Sequence, residues 1–283
     1  MTSKSLVVGR LAPTPSGELH LGNALAFIAC WRSVREQGGR LLLRIEDVDR
    51  GRARAEVEAR QREDLRWLGI QWDDETPRQS ARDYEPWLER VRDRTYRCTC
   101  SRAEVAAAGG VYPGTCRDAG HTTGSVRFRL SDRHRDVADA RFGLRRVRPS
   151  DLGDPVLRRR DGVFTYNLAV VADDLCDGVT EVVRGADLLD YSGVQEELWE
   201  ALSAAPPRWS HTPVLLGPDG RKLSKSHGSL GLGALREAGW TAAHVHDLVS
   251  GWLSTRALTL QLDLPAQGGS PSPMQGIPWR VVI

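Results

Sequence analysis

The chain has 283 residues, 40% of them hydrophobic and 27% charged, which fits a globular protein of one large or two moderate domains. A formal net charge of +2 excludes a polycation that coats nucleic acid along its whole length. No apolar run is long enough for a membrane span, and MTSKSLVVGR lacks the apolar core and small-residue cleavage site of a secretory leader, so the expectation is a cytoplasmic protein.

The pattern opens with a short strand over 6–11, then the loop within GRLAPTPSGELHLGN (9–23), then a helix from about residue 19. Pro13 and Pro15 remove amide donors from the loop, and Gly17 and Gly22 allow close backbone approach. Shaped loops at strand-to-helix junctions are where open α/β folds bind nucleotides. Leu21, Leu25, Ile28 and Ala29 recur at helical spacing, and Gly38 and Gly39 end that helix. The run 40–49 has the look of a buried strand, and 53–68 of a second helix with Val57, Leu65 and Leu68 as its apolar stripe. Strand, helix, strand, helix begins a parallel sheet. From 73 to 149 the character changes to a helix (84–93), a cysteine cluster and an arginine-rich part, which reads as an insertion. FTYNLAVVADD (164–174) reads as a strand or buried segment, GVTEVVRGADLL as a strand entering a turn, and 190–202 as a helix. A further strand, a Pro-Asp-Gly turn and the polar loop GRKLSKSHG follow, then helical pieces near 230–237 and 244–253 and a turn-rich linker, PAQGGSPSPMQG.

Three features carry chemistry. His20, Gly22 and Asn23 start a helix, where an imidazole and bare backbone can meet phosphate oxygens. Arginine has replaced lysine throughout except at Lys4, Lys222 and Lys225, and two of these three share one loop. A compact, mobile ammonium suits contact with a departing pyrophosphate better than a planar fork. Cys98, Cys100 and Cys116 can take three corners of a tetrahedral zinc ion, with His121 the conventional fourth ligand from the residues alone. Cys30 and Cys176 read as core residues. The arginines of 127–160 are either a phosphate-contacting surface or a solvated face.

His20-Leu21-Gly22-Asn23 and Lys222-Leu223-Ser224-Lys225-Ser226 together resemble the two signatures of class I aminoacyl-tRNA synthetases. GRLAPTPSGELHLGNA, GGRLLLRIEDVD, TYNLAVVADD and VVRGADLL resemble the catalytic domain of glutamyl-tRNA synthetases over about 9–228. The resemblance implies a Rossmann-like doubly wound parallel sheet (1–72 and 150–204), a zinc-bearing insertion (73–149), and the lysine loop with a small helical C-terminal region (205–283). It implies activation of L-glutamate by ATP with Mg²⁺. The ATP contacts would be His20, Gly22, Asn23, Lys222, Ser224 and Lys225, with His20, Lys222 and Lys225 acting on the phosphates. Arg10, Ala12, Thr14, Glu46, Tyr166 and Arg184 would bind glutamate, Glu46 taking its ammonium. The pattern Cys-x-Cys, Tyr112, Cys116 resembles a branch in which a tyrosine completes the zinc site, so Tyr112 is favoured over His121.

Beyond the lysine loop too little chain remains for a full anticodon-binding domain. That shortness and the cysteine–tyrosine pattern resemble the glutamyl-queuosine tRNA(Asp) synthetases. The resemblance implies a monomer that activates glutamate without tRNA and transfers it to queuosine in the anticodon stem-loop of tRNA(Asp). A truncated glutamyl-tRNA synthetase charging a 3′ end, or a non-catalytic zinc RNA-binding module, would share these motifs.

Overall fold

Two short apolar strands, β1 (Val8–Leu11) and β2 (Arg40–Leu43), run parallel with Val8 opposite Arg40 and Leu11 opposite Leu43. This is a computed structural model, which describes residues 6–223, 231–262, 273 and 276–282. The crossover between the strands is α1 (Leu21–Glu36), whose buried stripe of Leu21, Ala24, Leu25 and Ile28 follows the helical period. The second strand ends at Leu43, six residues before the expected 49, because 44–49 turn away as a loop carrying buried acids. After α2 (Ala55–Trp67), β3 (Asp74–Glu75) adds to β2 in parallel.

A separate antiparallel sheet follows. Beyond α3 (Glu85–Arg90), β4 (Thr95–Cys98) leads through α4 (Arg102–Ala107) to β5 (Ser125–Phe128). Then come β6 (Arg135–Asp139), β7 (Gly143–Val147) and β8 (Val156–Arg158). The sheet order is β4-β5-β8, while β6 and β7 form a hairpin elsewhere.

The segment 164–174 is helical rather than extended: it forms most of α5 (Tyr166–Cys176). Its apolar run is continuous because residues 168–174 are all buried, so no polar face reveals the period. Next come β9 (Glu181–Gly185), α6 (Ser192–Ala201), β10 (Arg208–Thr212) and β11 (Val214–Leu216). The C-terminal region holds α7 (Leu232–Glu237) and α8 (Ala242–Ser254), but also β12 (Thr259–Leu262) and β13 (Trp279–Val282), which complete a sheet of order β11-β12-β13. Most of the expected linker lies outside the described residues.

The parallel strands assemble around β1. On one side lie β2 and β3; on the other β9 and β10 run parallel, with β6 parallel to β10 and β7 at the edge. The Thr180 amide donates to Val8 O at 2.9 Å, bringing the two halves side by side. The order β3-β2-β1-β9-β10 reverses direction between β1 and β9, which is the switch point of a doubly wound sheet. One core, with α1, α8 and Trp252, covers one side; another, with α5, α6 and Phe128, covers the other. Both ends of the segment 73–149 pair with these parallel strands, through β3 and through β6.

Candidate active site

Doubly wound sheets open a crevice at the carboxyl ends of their strands, at the switch point. Here Arg10 near the end of β1 and Arg184 near the end of β9 border a cavity of about 760 Å³. Arg10, Ala12, Thr14, Glu46, Tyr166 and Arg184 all line it, as do His20, Gly22, Asn23 and Lys222. Ser224 and Lys225 lie outside the described residues.

His20 occupies the N-cap of α1. The Gly22 amide donates to its Nδ1 at 3.1 Å, and the Asn23 side chain accepts from the His20 amide at 3.0 Å. An imidazole that accepts at Nδ1 carries its proton on Nε2, so the ring is set as an Nε2–H donor. Any Cβ at position 22 would sit 2.9 Å from the ring carbon Cε1, so glycine is required for this cap. Lys222 Nζ reaches the same cavity and is held by Asp187 Oδ2.

Beneath Arg10 lies an ionic floor. Arg44, fully buried, donates to Asp174 at 2.7 Å and to Glu46 at 3.2 Å, with Asp177 at 3.4 Å. Arg10 shares Asp174 at 3.3 Å, and Arg82 pairs with Asp173 and Asp177. Three guanidiniums thus face the four carboxyls of Glu46, Asp173, Asp174 and Asp177. Burial raises the Glu46 carboxyl above its ordinary value even against Arg44 and Arg10, and burial raises Asp173 as well.

Arg184 has different company. Its Nε donates to His211 Nε2 at 3.0 Å; its other N–H groups reach Gln195 Oε1 (2.6 Å), Ser192 Oγ (2.8 Å), Leu188 O (3.3 Å) and Tyr166 Oη (3.3 Å). The Trp209 ring lies 4.8 Å from the guanidinium carbon. No carboxylate touches it among the described residues, and burial holds its pKa below the ordinary arginine value.

The cysteines form a second cluster. The sulfurs of Cys98, Cys100 and Cys116 lie within 4.8 Å of one another, with Cys100 and Cys116 at 3.5 Å. Tetrahedral zinc–sulfur bonds of about 2.3 Å set thiolates just under 4 Å apart, so these three sulfurs suit one ion. Tyr112 Oη accepts the Cys116 amide at 2.8 Å and faces the Cys98 and Cys116 thiols. The Arg127 guanidinium sits 3.7 Å from the Tyr112 ring centroid, and burial holds the Tyr112 hydroxyl above its ordinary value. His121 is exposed and turned to Thr99 Oγ1 at 3.4 Å, outside the group of three sulfurs. Gly124, at φ +110°, is needed here: a Cβ would lie 2.4 Å from Cys98 O. The cluster lines no part of the 760 Å³ cavity.

Most of the arginine-rich stretch is tied into the structure. Arg127 donates to Asp154 O at 2.6 Å, Arg148 pairs with Asp132 at 2.6 Å, Arg158 with Glu85 at 3.0 Å and Arg159 with Asp49 at 3.2 Å. Arg146 is exposed on β7, beside Arg145, which lies 3.5 Å from Asp190. The residue pattern did not single out Arg44, Asp139, Asp173, Asp174, Asp187 or His211. The paired acids in VADD and the arginine closing RLLLR were the only local signals for the floor.

A family model described as tRNA synthetases class I (E and Q), catalytic domain, matches residues 6–108 and 116–248. The glutamyl-Q tRNA(Asp) synthetase of Symbiobacterium thermophilum is 43% identical over 267 residues, spanning 83% of this chain and 82% of that protein. The protein of the same name from a Synechococcus species is 44% identical over 241 residues, spanning 84% of this chain and 80% of that protein. The crystal structure of glutamate-tRNA synthetase from Elizabethkingia anophelis superposes with a TM-score of 0.70 at 29% identity, over 78% of this chain. This chain spans about half (53%) of the length of that synthetase. The chain belongs to the class I aminoacyl-tRNA synthetases of the E and Q type, a family of ligases, and within it to the glutamyl-Q tRNA(Asp) synthetases. No helix among the described residues is long and apolar enough to cross a membrane.

Proposed function

We propose that the cavity activates L-glutamate with Mg²⁺-ATP, without RNA, and passes the glutamyl group to queuosine in the anticodon wobble position of tRNA(Asp). One observation carries this most: a buried guanidinium, Arg184, that no carboxylate among the described residues contacts opens onto the same cavity as His20 and Lys222. A substrate side-chain carboxylate supplies the missing anion by taking over the long 3.3 Å contact to Tyr166. The substrate ammonium falls to Glu46, whose ionised form it would favour. Arg10, Ala12 and Thr14 form the wall between them.

In the reaction a glutamate α-carboxylate oxygen attacks the α-phosphorus of ATP. A carboxyl–phosphate bond forms, the bond to the bridging oxygen of pyrophosphate breaks, and that oxygen leaves with the electron pair. No protein nucleophile is needed, so catalysis rests on positioning and charge. His20 Nε2–H donates to the phosphate oxygens beside the bare backbone of Gly22 and Asn23, with Ser224 completing the ATP contacts. Lys222 exchanges Asp187 for the departing pyrophosphate, together with Lys225. Mg²⁺ arrives with ATP and neutralises phosphate charge.

Zinc held by Cys98, Cys100, Cys116 and Tyr112 acts as a structural clip for the β4–α4 loop of an inserted unit, since the cluster stands apart from the reacting groups. The C-terminal elements act as a small accessory unit against α1. The decisive test is glutamate-dependent ATP–pyrophosphate exchange in the absence of RNA, followed by base-resolved mapping of the glutamylated nucleotide. Exchange that requires tRNA, with label at a 3′ end, would instead establish a shortened glutamyl-tRNA synthetase. Charge reversal of Arg145 and Arg146 should weaken transfer to RNA and leave exchange intact.

A further inference from the structure

Arg184, His211 and Asp139 form a row across three adjacent parallel strands. Arg184 on β9 lies directly opposite His211 on β10, and Asp139 ends the neighbouring β6. All three are buried, His211 completely. A guanidinium only donates, so His211 Nε2, 3.0 Å from Arg184 Nε, must accept. The imidazole proton therefore sits on Nδ1, which donates to Asp139 Oδ2 at 2.7 Å. The other carboxylate oxygen, Asp139 Oδ1, is occupied by the amides of Arg141 (3.0 Å) and Phe142 (2.8 Å). Every donor and acceptor in the row points one way.

We propose that Asp139 and His211 are positioning residues for glutamate recognition: Asp139 fixes the His211 tautomer, and His211 Nε2 then holds the Arg184 guanidinium in the plane that meets the substrate carboxylate. This rests on Arg184 binding that carboxylate. The row gives Arg184 a counter-charge two hydrogen bonds away while no carboxylate among the described residues contacts the guanidinium itself. A carboxylate touching Arg184 directly would neutralise it and compete with the substrate. The neutral His211 instead transmits orientation without cancelling charge. Burial, reinforced by the Arg184 charge, keeps the imidazole below its ordinary pKa despite Asp139. Burial alone would raise the Asp139 carboxyl, but the His211 hydrogen bond and the two amides outweigh it and hold it low.

Asp139→Asn tests the row with almost no change of shape. The new amide oxygen must keep the Arg141 and Phe142 N–H groups, so its NH₂ faces His211 Nδ1. That reverses the tautomer and sets Nε2–H against Arg184 Nε–H. The expected result in the exchange assay is a rise of about tenfold in KM for glutamate, with KM for ATP within about twofold of wild type. His211→Leu should match it, while His211→Gln, which restores an acceptor beside Arg184, should recover most of the loss. An unchanged KM for glutamate, or an equal rise in both KM values, overturns the proposal. Nitrogen-15 NMR of the wild-type imidazoles, with His211 assigned by its loss in the Gln variant, gives a reading independent of activity and of how Asp139→Asn folds. The Nδ1–H tautomer is expected, and an Nε2–H tautomer or an imidazolium at neutral pH overturns it. Should Arg184→Lys raise KM for glutamate while Asp139→Asn does not, carboxylate binding by Arg184 stands and the row falls. A wild type without exchange removes the catalytic reading, and the NMR result then decides the row alone.

Discussion

Two buried arginines, Arg44 beneath the cavity and Arg184 in its lining, are handled in opposite ways. Arg44 sits beneath Glu46 among Asp173, Asp174 and Asp177, so its charge is consumed by the protein's own acids. Among the described residues Arg184 is hydrogen-bonded by neutral acceptors alone, and the carboxylate of Asp139 is linked to it only through His211. The first arrangement locks the end of β2 to α5 and leaves none of the Arg44 charge for a ligand. The second keeps a positive potential that only an incoming anion relieves. Buried charges need partners, and where the partner is missing from the protein it is sought in the substrate.

This contrast separates stability from activity, and the variants that expose it differ in size. The largest effect belongs to Arg44→Met, which removes the buried guanidinium shared by Glu46, Asp173, Asp174 and Asp177 and takes from Glu46 its ion pair: a loss of about 3–5 kcal/mol in denaturant melts, or failure to fold, is expected. Next is the cysteine cluster, which neither arginine touches. Cys116→Ser or a strong chelator should remove bound zinc, measured by elemental analysis, and lower stability by about 3 kcal/mol, the scale of a ligand held near a hundredfold above its Kd. Initial exchange rates below the melting range should be unchanged.

Arg184→Gln reverses that pattern. No carboxylate is stranded in contact with it, so melts should shift little, yet KM for glutamate should rise about a hundredfold, as for loss of a charged hydrogen-bonded pair. The smallest effect concerns a buried acid with only a distant cation. Asp64 lies 3.9 Å from Arg236, and burial pushes its carboxyl up to about 6. A folded-state value above the unfolded one (about 3.9) means that stability present at low pH is lost as pH rises through about 6. Asp64→Asn should therefore be more stable than wild type by about 1–2 kcal/mol at pH 8, and the gain should vanish below about pH 4.

The cavity's outline was legible because its parts are short and local. A helix-capping histidine beside a glycine, and lysines kept in an arginine-biased chain, are visible in any window of ten residues. Arg10, Glu46 and Arg184 were legible through the resemblance, and the fold brings them to one cavity. The floor was hidden because α5 is buried along 168–174, so its acids looked like the end of a strand rather than the inner face of a helix. Asp139 and His211 were hidden for a different reason: 72 positions separate them, and only the parallel pairing of β6 with β10 makes them neighbours. The arginines of 127–160 read as one surface in the sequence, whereas in the structure most of them meet carboxylates or carbonyls of the chain itself.

The most direct test is ATP–pyrophosphate exchange by the intact chain, without RNA, using L-glutamate and L-glutamine in parallel. An anion-seeking Arg184 predicts robust exchange with glutamate and at least about a hundredfold lower kcat/KM with glutamine, which offers no charge to the guanidinium. Comparable exchange with both amino acids, or none with glutamate, would contradict it.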